Sequence, residues 1–153
     1  MRGGAVGPPS RGRGARRALI ILNIGGIHMS EKNKEIVAKA DAAFAKGNIE
    51  GFLSLCAEDV EWTMVGEKVV KGKEAIRQWL ASMKSEPPKL TIGKVIAEED
   101  FATAYGDMTM KDKDGKIIPF SYCDIYRFRD GKIAELRSFV VRTEAMRKSI
   151  SGS

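Results

Sequence analysis

The sequence predicts an α+β fold in which helices cover one face of an antiparallel sheet, and three observations carry that prediction. Up to Lys84 the apolar residues recur at the three- and four-residue spacing of a helix. From Lys89 onward they alternate in steps of two, as side chains on a strand do. The alternating segments are separated by Glu98-Glu99-Asp100, Asp112-Lys113-Asp114-Gly115 and Arg129-Asp130-Gly131, each rich in the residues that tight turns require.

Helix 1 is expected to start at Ser30, whose hydroxyl can cap the first turn, with Glu31 at the positive end of the helix dipole. Ile36, Val37, Ala40, Ala43 and Phe44 form its apolar stripe, and it ends near Gly47. Asn48 caps a second helix that carries Ile49, Phe52, Leu53 and Cys56 on one face until Asp59 breaks it. A short strand over 60–65 follows. Helix 3 covers 73–84 with Ile76, Trp79, Leu80 and Met83 as its stripe, and Pro87-Pro88 prevents its continuation. Strands are then expected near 89–98, 101–111, 116–129 and 132–142.

A chain of 153 residues with 43% hydrophobic content has room for one domain and a substantial core. Its net charge of +6 is concentrated in residues 1–28, which carry Arg2, Arg11, Arg13, Arg16 and Arg17 and no acid. Taking these five from the 26 basic residues leaves 21 against 20 acidic ones, a balance of +1. A body so nearly neutral, without a stripe of Lys and Arg, argues against nucleic acid as a partner. Residues 1–28 are expected to form a disordered Arg/Gly-rich leader: an extension ahead of a natural start at Met29, a targeting segment, or a flexible arm. Its apolar run over 18–27 is interrupted by Asn23 and Gly25-Gly26 and is too short to span a membrane. The domain proper is expected over 29–145, with a flexible tail over 146–153.

Cys56 and Cys123 stand in neither a CxxC nor a metal-ligand spacing and are read as reduced thiols of a cytoplasmic protein. The single histidine, His28, lies outside the body. Nucleophilic chemistry that depends on histidine is thereby excluded within one chain, and no metal or cofactor is implied.

The most informative segment runs from Phe120 to Ile133. Alternation puts Phe120, Tyr122, Asp124, Tyr126 and Phe128 on one side of a strand and Ser121, Cys123, Ile125, Arg127 and Arg129 on the other. Asp124 is thereby set among rings, where a carboxylate is costly unless it faces water or has a function.

This strand is the last of four pieces that occur in order: 43–52 (Ala-Phe-Ala-Lys-Gly-Asn-Ile-Glu-Gly-Phe), 57–62 (Ala-Glu-Asp-Val-Glu-Trp), 70–76 (Val-Lys-Gly-Lys-Glu-Ala-Ile), and the Asp124 strand with its Arg-Asp-Gly-Lys-Ile turn. Together they make residues 31–143 resemble the SnoaL-like branch of the nuclear transport factor 2-like (NTF2-like) superfamily. Ketosteroid isomerases, polyketide cyclases and limonene epoxide hydrolases are among its members. The resemblance implies a cone: three N-terminal helices packed on a strongly curved antiparallel sheet that encloses a pocket.

In ketosteroid isomerases an aspartate on the first strand is the base, while a Tyr and a protonated Asp donate hydrogen bonds to the developing enolate. The resemblance puts Asp124 at the protonated Asp. Thr63 or Met64 stands at the base and Ala40 at the helix 1 Tyr, so the familiar steroid isomerisation is not implied. The last-strand Asp of limonene epoxide hydrolases is matched here by Ser138 or Val141. Polyketide cyclases use an Asp as acid and base, a role open to Asp124 or Asp107.

Approximate alignment points Tyr105, Asp107 and Thr109 into the cavity, where two neighbouring acids would differ in protonation. The alternative leaves Asp107 in solvent or paired with Arg127 or Arg137. Asp124 and Asp107 are thus the catalytic candidates, and Tyr105, Tyr122, Tyr126, Phe120, Trp62 and Met64 the ligand-contact candidates, with plain core packing as the alternative for Trp62 above all. The expected ligand is a hydrophobic small molecule, handled by cofactor-free acid/base chemistry; the alternative is a non-catalytic module that binds a ligand or serves oligomerisation, and in either case no nucleic acid and no membrane are involved. Ile125, Cys123, Phe139 and Val141 share the other face, and this apolar content predicts a homodimer through the sheet.

Overall fold

Helix α1 spans Gly14–Ala45, well beyond the expected start at Ser30. Residues 14–28, expected to belong to a disordered leader, are therefore helical. Pro8-Pro9 is the last strong breaker before them, and Gly25-Gly26, at roughly 1 kcal/mol each relative to alanine, does not stop propagation. The computed structural model describes residues 14–144, with side chains from residue 25; the expected tail and the first thirteen residues lie outside that range. The buried stripe of α1 comprises Asn33, Val37, Ala40, Asp41 and Ala43. Asn33 Nδ2 donates to the Glu99 carbonyl at 3.2 Å, which ties the helix to the sheet.

Helix α2 is a short turn, Ile49–Leu53, with Asn48 Oδ1 accepting the Gly51 N–H at 2.9 Å as expected of a cap. Cys56, expected on its apolar face, instead begins strand β1, Cys56–Met64. The cause is tertiary: the Ile133 N–H donates to the Leu55 carbonyl at 2.9 Å and draws this segment into the sheet. Strand β2, Lys68–Lys71, was not expected from the sequence and closes a hairpin on β1. Helix α3, Lys73–Ser82, precedes the meander β3 (Lys89–Glu98), β4 (Phe101–Lys111), β5 (Ile117–Arg129) and β6 (Lys132–Arg142).

The six strands form one curved sheet in the order β2-β1-β6-β5-β4-β3. Four of the pairings are antiparallel, but β1 runs parallel to β6, so the expected antiparallel sheet is mixed. The hairpin from the helical half joins the free edge of the meander, and no local pattern encodes that junction.

Register shifts in β3 between Ile92 and Lys94, and between β5 and β6 at Arg127/Phe128, bend the strands and raise their twist. Gly106 is required at the first: a Cβ there would lie 2.2 Å from the Thr91 carbonyl oxygen. The β5–β6 turn places Asp130 and Gly131 both at positive φ, 52° and 72°, the arrangement of a two-residue hairpin turn that matches strand twist.

The core lies between the helices and the concave face of the sheet. Phe52, Leu53, Val60, Ile76, Ile133 and Leu136 are fully buried there. Four rings close one end: Phe44 packs on Phe52 at 4.5 Å between centroids, and Trp62 meets Phe44 at 5.3 Å and Trp79 at 5.0 Å, both edge to face. No helix among the described residues is long and apolar enough to cross a membrane.

Candidate functional site

The register decides which side chains meet. Across β4–β5, Ala102, Ala104, Gly106 and Met108 stand opposite Tyr126, Asp124, Tyr122 and Phe120. Across β5–β6, Tyr126, Asp124 and Tyr122 stand opposite Leu136, Ser138 and Val140, and across β6–β1 Leu136 and Ser138 stand opposite Trp62 and Met64. These residues share the concave face, since Ala102, Ala104, Tyr126, Leu136 and Trp62 are all core members. Asp124 thus occupies the middle of a concave wall built from four strands.

Asp124 has no cation to balance it; among the described residues it takes part in no ion pair. Burial pushes its carboxyl up to about 7, opposed by a hydrogen bond from the Ser138 hydroxyl and reinforced by the negative charge of Asp41. Ser138 is itself buried, and its Oγ accepts the Trp62 indole N–H at 2.9 Å. The indole therefore occupies one lone pair of the serine oxygen, and the hydroxyl proton is left for Asp124, which stands opposite across the strands. Near neutral pH the acid exchanges a proton readily, which is what general acid–base chemistry demands.

A second acid reaches the same region from the helix. Asp41 is 3% exposed. Its Oδ1 accepts the Tyr126 hydroxyl at a long 3.5 Å, and its Oδ2 has no partner among the described residues. Burial raises this carboxyl to about 6, with the Tyr126 hydrogen bond opposing. Burial, then the charges of Asp124 and Asp41, push the phenol of Tyr126 well above its usual range. Tyr122 is also buried, its hydroxyl has no partner among the described residues, and its phenol is pushed up to about 12 by burial and then by Asp41 and Asp124.

Asp41 was not among the expected site residues. The signal was present: with Val37, Ala40 and Phe44 it occupies successive positions of one helical stripe, so an acid stood on the buried face of helix 1. Ser138 entered the sequence reading only as the residue matching a missing aspartate.

The remaining candidates are placed as follows. Asp107 is exposed, and its Oδ1 accepts the Ser121 hydroxyl at 2.7 Å on the convex face. Tyr105 faces the same way, 46% exposed, opposite Cys123. The expected grouping of Tyr105, Asp107 and Thr109 on one side of β4 holds, but that side is the outer one. The small residues Ala102, Ala104 and Gly106 face inward because α1 packs over this part of the sheet and leaves no room for larger ones. Nor does Asp107 pair with Arg127, which instead pairs with Glu135.

Phe120 and Met64 lie half-buried on the concave wall. The ring of Trp62 is core, and what it presents to the site is its N–H through Ser138. Thr63 lies opposite Arg137 on the convex side. Among the described residues no three His, Cys, Asp or Glu side chains are grouped as a metal site.

The family model described as a SnoaL-like domain matches residues 37–136. Comparison with curated proteins found no match. Among solved structures, an NTF2-like protein of unknown function from Cytophaga hutchinsonii is 29% identical, with a TM-score of 0.59 over 74% of this chain and 99% of that one. The epoxide hydrolase/cyclase-like enzyme SalBIII, associated with pyran ring formation in the polyether salinomycin, is 22% identical, with a TM-score of 0.65 over 72% of this chain and 91% of that one. An LEH-like epoxide hydrolase from M. tuberculosis is 14% identical, with a TM-score of 0.65 over 72% and 84%. At these identities the last two show a shared fold alone.

Proposed function

This chain belongs to the SnoaL-like domain family, and from that premise we propose that it binds a hydrophobic small molecule against the concave wall and acts on it by cofactor-free acid/base chemistry. The reaction is of the isomerase, cyclase, dehydratase or hydratase type, on a carbonyl-like or hydroxylated substrate, with Asp124 as the acid or hydrogen-bond donor. One observation carries the proposal: an acid on the concave face beside Tyr122, Tyr126 and Phe120 that has no counter-ion among the described residues, so that burial pushes its carboxyl up. Solved neighbours whose names describe epoxide hydrolase or cyclase-like enzymes support it by analogy of fold.

The test is a carboxyl-carbon NMR titration of Asp124 with Asp124→Asn as the assignment control, followed by a panel of hydrophobic ketones, epoxides and alcohols. A titration near 7 and turnover lost in Asp124→Asn are expected. A midpoint at or below about 3.9, the ordinary aspartate value, would remove Asp124 from the acid role.

A second reading, binding without catalysis, is favoured by the first strand, where Met64 faces inward and Thr63 outward, neither of them a base. Saturable binding with no turnover of any panel member would select it. We also propose a homodimer through the convex face, where Phe139, Val141 and Tyr105 are 37%, 60% and 46% exposed. The free thiols of Cys56, in the core, and Cys123, on the convex face, support a reducing, cytoplasmic setting.

A further inference from the structure

We propose that Asp41 and Tyr122 form the polar anchor of the ligand, and that the group they grip is a hydroxyl; this rests on the small-molecule reading above and narrows it. Two buried side-chain atoms have no hydrogen-bond partner among the described residues, Asp41 Oδ2 and the Tyr122 hydroxyl. Both residues are more than nine-tenths buried, at 3% and 6% exposure. A buried polar atom left unpaired costs about 1–3 kcal/mol, so two in one region mark a place built for a partner.

They belong to one region. Tyr122 and Tyr126 point from the same face of β5, and the Tyr126 hydroxyl holds Asp41 Oδ1, which leaves Oδ2 as the free oxygen of an oriented carboxyl. The charge of Asp41 also acts on Tyr122 more strongly than that of Asp124, two residues away on the same strand.

The chemistry of the two atoms is complementary rather than alike. A phenol hydroxyl donates one hydrogen bond, and an ionised carboxylate oxygen only accepts. A ligand carbonyl could accept from Tyr122 but would leave Asp41 Oδ2 unpaired. A hydroxyl accepts from Tyr122 and donates to Asp41, and so satisfies both. The neighbouring groups, Asp124 and Ser138 from the sheet and Tyr126 against the helix, add no cation that would recruit an anionic ligand. Sites that pair a substrate hydroxyl discriminate strongly against analogues without it, because the protein groups are then left unsatisfied.

The experiment measures the affinities of cyclohexanol and cyclohexanone for the full chain by chemical-shift titration, in the wild type, Tyr122→Phe and Asp41→Asn. Both substitutions preserve shape. Cyclohexanol is expected to bind at least about tenfold more tightly than cyclohexanone to the wild type. In Asp41→Asn the preference is expected to vanish, whereas Tyr122→Phe removes a donor that either oxygen can use and is expected to weaken both probes. If Asp41→Asn does not fold, the loss of affinity for both probes in Tyr122→Phe decides alone.

Equal affinity of the two probes for the wild type, as when a permanently held water satisfies both atoms, overturns the anchor and leaves the small-molecule reading standing. A preference retained in Asp41→Asn, or affinities unchanged in Tyr122→Phe, overturns the assignment to these residues. Failure of both probes to bind up to their solubility limits overturns the anchor and the small-molecule reading together.

Discussion

Asp124 and Asp107 sit on neighbouring strands of one sheet, Asp124 opposite Ala104 and Asp107 opposite Ser121, yet they occupy different solvents. The first is half-buried on the concave face beside rings and a serine, where burial pushes its carboxyl up to about 7. The second is exposed and is held only by a neighbouring hydroxyl. The two residues are chemically identical, so what separates them is the parity of their positions along the pleat and the helix that covers one face. Carboxyl chemistry in this molecule is a property of the concave wall, not of the aspartate.

The contrast is broken most severely by chemistry. On any substrate that the panel identifies, Asp124→Asn is expected to lower turnover by about 10²-fold or more, the usual worth of a positioned acid, while Asp107→Asn leaves it unchanged. Steady-state kinetics of the two variants check this, and equal losses would end the distinction.

Next in size is packing. Leu136, fully buried on the concave face, is expected to cost about 2–5 kcal/mol when replaced by alanine, as large-to-small core changes do. Urea unfolding measures it, and a cost under 1 kcal/mol would mean that this wall is not the core.

The pH dependence follows from the two raised carboxyls. Between pH 3.8 and about 7 for Asp124, and 3.8 and about 6 for Asp41, the native state holds protons that the unfolded chain has released. Their contribution to stability is fully present below pH 3.8 and is lost as pH rises through 6 and 7. The stability of Asp124→Asn relative to the wild type should therefore rise across that window, by at most roughly 4 kcal/mol at 1.36 kcal/mol per pH unit. Urea midpoints at pH 4 and pH 8 test it; a difference that shrinks with rising pH has the wrong sign for a desolvated acid.

The proposed dimer is tested on the convex face. Val141→Arg is expected to leave the circular dichroism spectrum intact and convert a dimer to a monomer by sedimentation. A wild type that sediments as a monomer at every concentration would remove the dimer. The smallest effect is at Asp107→Ala, within about 0.5 kcal/mol of the wild type in the same unfolding assay, as surface changes usually are.

Much of this was legible in the residues. The change from helical spacing to alternation marks where the helices give way to the meander, and the turn at Asp130-Gly131 follows from the need for positive φ at both positions. The side of β5 that carries Asp124 with Tyr122 and Tyr126 is also a local property, since alternation along one strand requires no partner.

Other features were not legible, for reasons equally physical. The residues of β4 sort correctly into two sets, but which set faces the helices depends on a helix packed from more than sixty residues away. The small side chains of Ala102, Ala104 and Gly106 were the clue to close approach. Strand β2 is only four residues long, its surroundings are charged, and it exists because β1 offers an edge. Asp41 reads as a flaw in an apolar stripe until the Tyr126 hydroxyl is seen beside it.

Composition and pattern along the chain were enough to establish the α+β class, the near-neutral body, the change from helices to the meander and an acid among rings, because each is written in the spacing of neighbours. The parallel seam between β1 and β6, the outward turn of Asp107 and the meeting of Asp41 with the Tyr126 hydroxyl came from folding alone. They depend on hydrogen-bond register and close packing between segments far apart in sequence, whose energies arise only when the partners meet.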